Sequence, residues 1–188
     1  MLRFLLGSAP LGAVVIAGAA AGIAAASSPP KTVTGSLITR RTGTLAPGSK
    51  VKSSSLGQRV FPTARDGFAL ASVGSAQYPA ATTDGGTIWK TDGPALHINA
   101  AQAPLSVLDL GAAGTKTVFF YGGGQVVDTT SDSGKHWYGA LFQGLVMAVV
   151  PNAFGHLVAF VDGSGATAQY VSKNGGRTWA LNSSVGGD

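Results

Sequence analysis

Cysteine does not occur among the 188 residues, which excludes a disulfide framework, a thiolate metal site and a cysteine nucleophile. Glutamate is absent as well. Every acid is therefore an aspartate, a residue that suits turns better than helix interiors. No stretch after residue 26 carries the helical period of apolar residues. What the chain has in quantity is glycine, 28 residues, and 45% hydrophobic content, enough for one domain to bury a core. These features together predict a turn-rich, all-β protein whose stability comes from packing.

Charge is uneven along the chain. Arg3, Lys31, Arg40, Arg41, Lys50, Lys52, Arg59 and Arg65 all precede the first acid, Asp66. A basic segment joined to a mildly acidic body reads either as a solvated linker or as a contact for an anionic membrane surface or cell-wall polymer. Its cations are scattered through Ser, Thr and Gly without aromatics to stack on bases, which argues against nucleic acid.

After Arg3, residues 4–26 carry no charge and end in Ala24-Ala25-Ala26. A charged start, an apolar middle and a small-residue end are the layout of a secretory signal over residues 1–26. The apolar run also approaches the roughly 20 residues that span a bilayer, so an uncleaved signal-anchor helix is the alternative. Either reading exports the body and gives the protein a secreted or extracytoplasmic place. Residues 27–57 follow, hydrophobic only at isolated points such as Val33, Leu37, Ile38 and Leu45. Such a segment buries little by itself and reads as a tether; the second reading is an edge strand from Thr32 to Thr39, where β-branched residues collect. Membrane contact, where it occurs, falls to residues 1–57. Residues 58–188 form the body.

One octapeptide recurs three times in the body: Thr82-Thr83-Asp84-Gly85-Gly86-Thr87-Ile88-Trp89, Thr130-Ser131-Asp132-Ser133-Gly134-Lys135-His136-Trp137 and Ser172-Lys173-Asn174-Gly175-Gly176-Arg177-Thr178-Trp179. The chain's three tryptophans all stand at its eighth position. Each position has a local reason. A short Asp or Asn side chain accepts backbone N–H bonds and organises a tight turn. Gly86, Gly134 and Gly176 permit positive φ, and the Thr or Ser at the first position adds a hydroxyl. Trp89, Trp137 and Trp179 open the outgoing strand, cover the turn and offer an indole N–H to a carbonyl.

Four strands frame each octapeptide. In the third unit they are 145–150, 156–161, 168–172 and 178–181; in the second 106–110, 117–121, 125–130 and 136–142. The first unit has 60–61, 68–73, 77–82 and 88–91. Four short strands in about 40 residues is the period of a propeller blade.

At these residues, over about 60–183, the sequence resembles the Asp-box or bacterial neuraminidase repeat proteins. Their motif, Ser-x-Asp-x-Gly-x-x-Trp, forms a hairpin between outer strands of a β-propeller blade. Asn174 departs from the usual Asp and keeps a side-chain carbonyl. The resemblance implies three tandem four-stranded propeller-like blades, with the octapeptides on the side away from any active face. Sialidases of that family use an arginine triad and a Tyr nucleophile activated by Glu. With no glutamate, and with Arg177 inside a turn, that chemistry does not transfer, and no catalytic residue is assigned.

His97, His136 and His156 share no ligand spacing, so no metal is assigned; one carboxylate per turn is thin for calcium. Gly122-Gly123-Gly124 lacks the remainder of a phosphate loop and reads as a hairpin. No cofactor is implied. Tyr78, Tyr121, Tyr138 and Tyr170 read as packing residues. The functional expectation is a non-catalytic exported binding or scaffold module, contacting an envelope protein or an extracellular glycan through the loops opposite the octapeptides. The alternative is a divergent glycan hydrolase using Asp66, Asp109 or Asp162. Three blades are fewer than the four to eight of a closed propeller, which leaves a compact monomer or a six-bladed homodimer.

Overall fold

A computed structural model describes residues 28–39, 45–96, 109–122, 124–163 and 166–186. The signal or anchor segment, His97 and the expected strand residues 106–108 lie outside them. In chain order the strands are β1 (Thr32–Thr34), β2 (Ser36–Leu37), β3 (Lys50–Val51), β4 (Leu56–Val60), β5 (Gly67–Val73), β6 (Ala76–Thr82), β7 (Trp89–Thr91), β8 (Asp109–Ala113), β9 (Thr117–Tyr121), β10 (Val126–Thr130), β11 (Tyr138–Leu141), β12 (Leu145–Pro151), β13 (Leu157–Gly163), β14 (Ala166–Ser172) and β15 (Thr178–Gly186). A 3-10 turn at Ser53–Ser55 separates β3 from β4.

These strands form three antiparallel sheets: β3-β7-β6-β5-β4, β2-β11-β10-β9-β8 and β1-β15-β14-β13-β12. The protein is all-β, as its composition predicts, but each sheet has five strands where four were expected. The fifth comes in every case from residues 32–51, the segment read as a tether. Val33 pairs with Trp179 on the third sheet, Leu37 with Tyr138 on the second, and Val51 with Trp89 on the first. One continuous segment thus adds the outer edge strand beside each octapeptide. Unpaired edge N–H and C=O groups are the reason such a strand is accepted. Burial of Val33 and Ile38 holds it in place, and the hydroxyls of two inward tyrosines pin its ends. Tyr170 Oη donates to Pro30 O at 3.1 Å, and Leu45 N–H donates to Tyr78 Oη at 3.1 Å.

Alternation along the strands explains the stacking. In β5, Phe68 and Leu70 face the second sheet, where they meet Leu110, Val118, Phe120 and Trp137. Ala69 and Ala71 face the other way, into a cluster with Tyr78, Ala80 and Trp89 that Leu45, Val51 and Leu56 cover. The second sheet is buried on both faces, since Phe119 and Val127 join Phe142, Leu157, Ala159, Tyr170 and Trp179 of a third cluster. Strands buried on both sides read as nearly unbroken apolar runs, which is how Thr117–Tyr121 appears in the sequence. The first and third sheets therefore both pack on the second.

Candidate functional site

The octapeptides all lie at one end of the sheets, and their side chains are spent on their own backbone. In the first, Thr82 Oγ1 donates to Asp84 Oδ1 at 2.7 Å and accepts the Gly86 N–H at 3.1 Å. Asp84 Oδ1 also accepts the Ile88 N–H at 3.0 Å, and Trp89 Nε1 donates to Gly86 O at 3.0 Å. Those bonds, first the Ile88 amide and then the Thr82 hydroxyl, hold the Asp84 carboxyl below its ordinary range. Gly85 and Gly86 have φ of 73° and 91°, left-handed values that a Cβ disfavours.

The third turn repeats this with amide chemistry. Asn174 Oδ1 accepts the Ser172 hydroxyl at 3.1 Å and the Thr178 N–H at 2.9 Å. Its Nδ2 donates to Thr178 Oγ1 at 2.9 Å, a bond for which a carboxylate has no donor. Gly176 N–H donates to Ser172 Oγ at 2.8 Å, and Trp179 Nε1 to Gly176 O at 3.0 Å.

The second turn departs from its siblings. Thr130 Oγ1 donates to Asp132 Oδ1 at 3.0 Å, and His136 N–H donates to the same oxygen at 2.9 Å. The indole of Trp137, however, donates across the sheet boundary to Asp92 O at 2.8 Å. Gly134 packs against Asp92, and Gly93 against the Trp137 ring, with no room for a Cβ at either glycine. His136 Nδ1 meets Asp132 Oδ2 at 2.6 Å. Burial alone would raise the Asp132 carboxyl, but its bonds from His136 and Thr130 bring it below the ordinary value.

Asp92, not singled out in the sequence, is the perturbed group here. Burial, then the charge of Asp132, push its carboxyl from 3.8 up to about 6. Its Oδ2 is buried without a hydrogen-bond partner. It lies on a cleft of about 480 Å³ between the first two turns, with Asp84, Lys90 and Lys135 also on the walls.

A second cleft, about 650 Å³, opens at the other end of the second and third sheets. It is lined by Gln125, Leu141, Phe142, Gln143, Gly144, Leu145, Asp162 and Gly163. Leu141 and Leu145 are exposed at its rim. Two backbone bonds, Phe142 N–H to Gln125 O at 2.8 Å and Val146 N–H to Gly124 O at 3.0 Å, tie its floor to the β9–β10 hairpin. This end holds the loops opposite the octapeptides.

Of the three aspartates named as hydrolytic candidates, Asp66 lies apart from the other two. Asp109, opposite Tyr121, and Asp162, opposite Leu145, stand at the open end. Asp66 stands at the turn end, where its Oδ2 accepts the Thr63 hydroxyl at 2.8 Å and its neighbour Arg65 accepts the Gly85 N–H through its carbonyl. Among the described residues no group of three His, Cys, Asp or Glu side chains is placed to hold a metal. Tyr78 and Tyr170 are buried. No family model, curated protein or solved structure matches the chain.

Proposed function

We propose that this chain is an exported, non-catalytic binding or scaffold module of the Asp-box propeller type. Its ligand, an extracellular glycan or the glycan-like polar surface of an envelope protein, docks at the end opposite the octapeptides. Three strand-rich units with one turn chemistry support the propeller-like reading, and the apolar run before Ser27 supports export. Because the turns consume their own hydroxyls and carboxylates, they support the fold and leave recognition to the far loops.

The observation that carries the reading is the 650 Å³ cleft at that far end. Gln125, Gln143 and Asp162 offer two amides and a carboxylate, and Leu141 and Leu145 offer aliphatic rims. Amide and carboxylate groups beside an apolar surface are what a sugar ring, with hydroxyls on its edge and C–H groups on its face, would meet.

The test is a panel of immobilised extracellular polysaccharides probed with the full chain and with Gln143→Ala and Asp162→Ala. Retention of at least one neutral glycan, weakened tenfold or more by either change, is expected. Equal retention by all three proteins would remove the cleft from the reading. Hydrolysis of a fluorogenic glycoside, lost on Asp109→Asn or Asp162→Asn, would replace binding with catalysis.

A further inference from the structure

The three sheets follow one rule of burial until the last. Opposite the first residue of each octapeptide stand Gly67, Val118 and Leu157. The residue after each, Phe68, Phe119 or Val158, falls on the other face of its sheet. Phe68 and Leu70 pack on the second sheet, and Phe119, with Tyr121 beside it, packs on the third. Val158 and Phe160 hold the same places on the third sheet, and no sheet follows it.

That face is apolar along two rows. Val150, Val158, Val171 and Ala180 lie side by side across β12 to β15, and Ala148, Phe160 and Gln169 form the next row. Neither row contains a charged residue. Gln169, the polar member, already accepts from Asn182 Nδ2 at 2.6 Å. Val150 is 43% exposed and Ala180 is exposed, while Phe160 and Val171 are half-buried. Among the described residues, none of these side chains joins any of the three core clusters.

The opposite end of the stack is closed. On the outer face of the first sheet, Ala69, Ala71, Tyr78 and Trp89 are buried beneath Leu45, Val51 and Leu56, and Phe61 lies edge-on to Trp89. A second copy therefore cannot continue the stack head to tail, because its first sheet has no free face to offer. Among the described residues, the one sheet face of this kind left open on a second copy is the same face of its third sheet. Such a pairing is isologous, about a two-fold axis, the commonest symmetry of homo-oligomers.

The area suffices. Strands β12, β13 and β14 have seven residues each and β15 has nine. With strands about 4.8 Å apart and a rise of about 3.3 Å per residue, the face has a flat extent of roughly 450 Å². Two such faces, with the relief of their side chains, bury about the 1,000 Å² that a specific interface needs.

We infer that the chain forms a homodimer in which the third sheets of two copies pack face to face through Val150, Phe160, Val171 and Ala180. The pair is a stack of six sheets, closed at both ends by the segment that carries Leu45, Val51, Leu56 and Phe61.

The test is the mass of the full chain, as an expressing cell exports it, by sedimentation velocity from about 1 to about 100 µM, the range of a modest interface. A monomer–dimer equilibrium is expected. Val150→Lys and Ala180→Lys each place an ammonium in the interface and should raise the dimer Kd about tenfold or more. Leu37→Lys makes the same change at a 45% exposed side chain on the edge of the second sheet and should leave Kd within about twofold. A monomer at every concentration would overturn the inference, whether it stays free or is taken up by phosphatidylcholine vesicles. So would growth beyond the dimer, which requires head-to-tail contacts, a dimer unmoved by both face variants, or an equal loss for Leu37→Lys. Unfolding midpoints check that the variants fold, and the two face variants, on different strands, serve as each other's replacement. Gln143→Ala should leave the mass unchanged, so failure of the far-end cleft and failure of this face are read separately.

Discussion

The first and third turns share one internal hydrogen-bond pattern and differ in what stands behind them. A Cβ on Gly86 would meet nothing nearer than the Phe61 ring at 3.4 Å, whereas one on Gly176 would run into Thr129 of the second sheet. Gly175 is likewise packed on Ser131. The first turn has no preceding sheet, and Phe61, 45% exposed and edge-on to Trp89 at 5.8 Å, serves as its cover. The same octapeptide is thus a free hairpin in one unit and a wedge between sheets in another. Local sequence makes the turn; position in the stack decides how much stability depends on it.

The largest expected effect falls on the wedge. Gly176→Ala combines left-handed strain with overpacking against Thr129 and should destabilise by about 3 kcal/mol, measured by denaturant unfolding. A loss under about 1 kcal/mol would show that Thr129 yields freely and would erase the distinction between the turns.

Next is the joint between the first sheet and the second turn. The Asp92 carboxyl is raised in the folded protein, so between about pH 4 and 6 the folded state holds the proton that the unfolded state releases. Stability contributed by neutral Asp92 is present below that window and lost as pH rises through it. Asp92→Asn removes the ionisation and should stabilise the protein at pH 7 by about 2 kcal/mol, with little gain at pH 4. Unfolding curves at the two pH values check this, and an equal gain at both would assign the effect to something other than the carboxyl's charge.

The smallest effect sharpens the comparison. Gly86→Ala meets the backbone strain without the collision and should cost about 1 kcal/mol. If it matched Gly176→Ala, the sheet behind the third turn would carry no weight.

Much of this was legible from residues alone, most clearly in the third unit. Its expected strands at 145–150, 156–161, 168–172 and 178–181 correspond to β12 to β15 within a few residues, the last running on to Gly186. Turn chemistry there is local, confined to bonds between residues two to four apart. Asn174, a departure from the pattern, retains the turn through the same side-chain carbonyl. Of the expected strand 106–110, the described part, from Asp109, lies in β8.

The segment from Lys31 to Val51 reads first as a tether, and its second reading, an edge strand from Thr32 to Thr39, falls where β1 and β2 lie on two different sheets, while β3 had no signal. Val33, Leu37, Ile38 and Leu45 are too widely separated to show a strand period, and each edge strand there is two or three residues long. Its partners lie far away in the chain, with Tyr170 bonding to Pro30 across 140 residues. Asp92 was hidden for a related reason: its neighbours Asp132, Gly134 and Trp137 belong to the next unit.

Sequence by itself determined the all-β class, the three-unit period and the hydrogen-bonding logic of each turn, because those depend on side chains acting within a few residues of themselves. Tertiary structure decided which segment completes the three sheets, which turn serves as a wedge, and why the Asp92 carboxyl near the second turn is raised above its ordinary range. Those outcomes depend on contacts between residues dozens of positions apart, and burial and field exist only once the sheets have stacked.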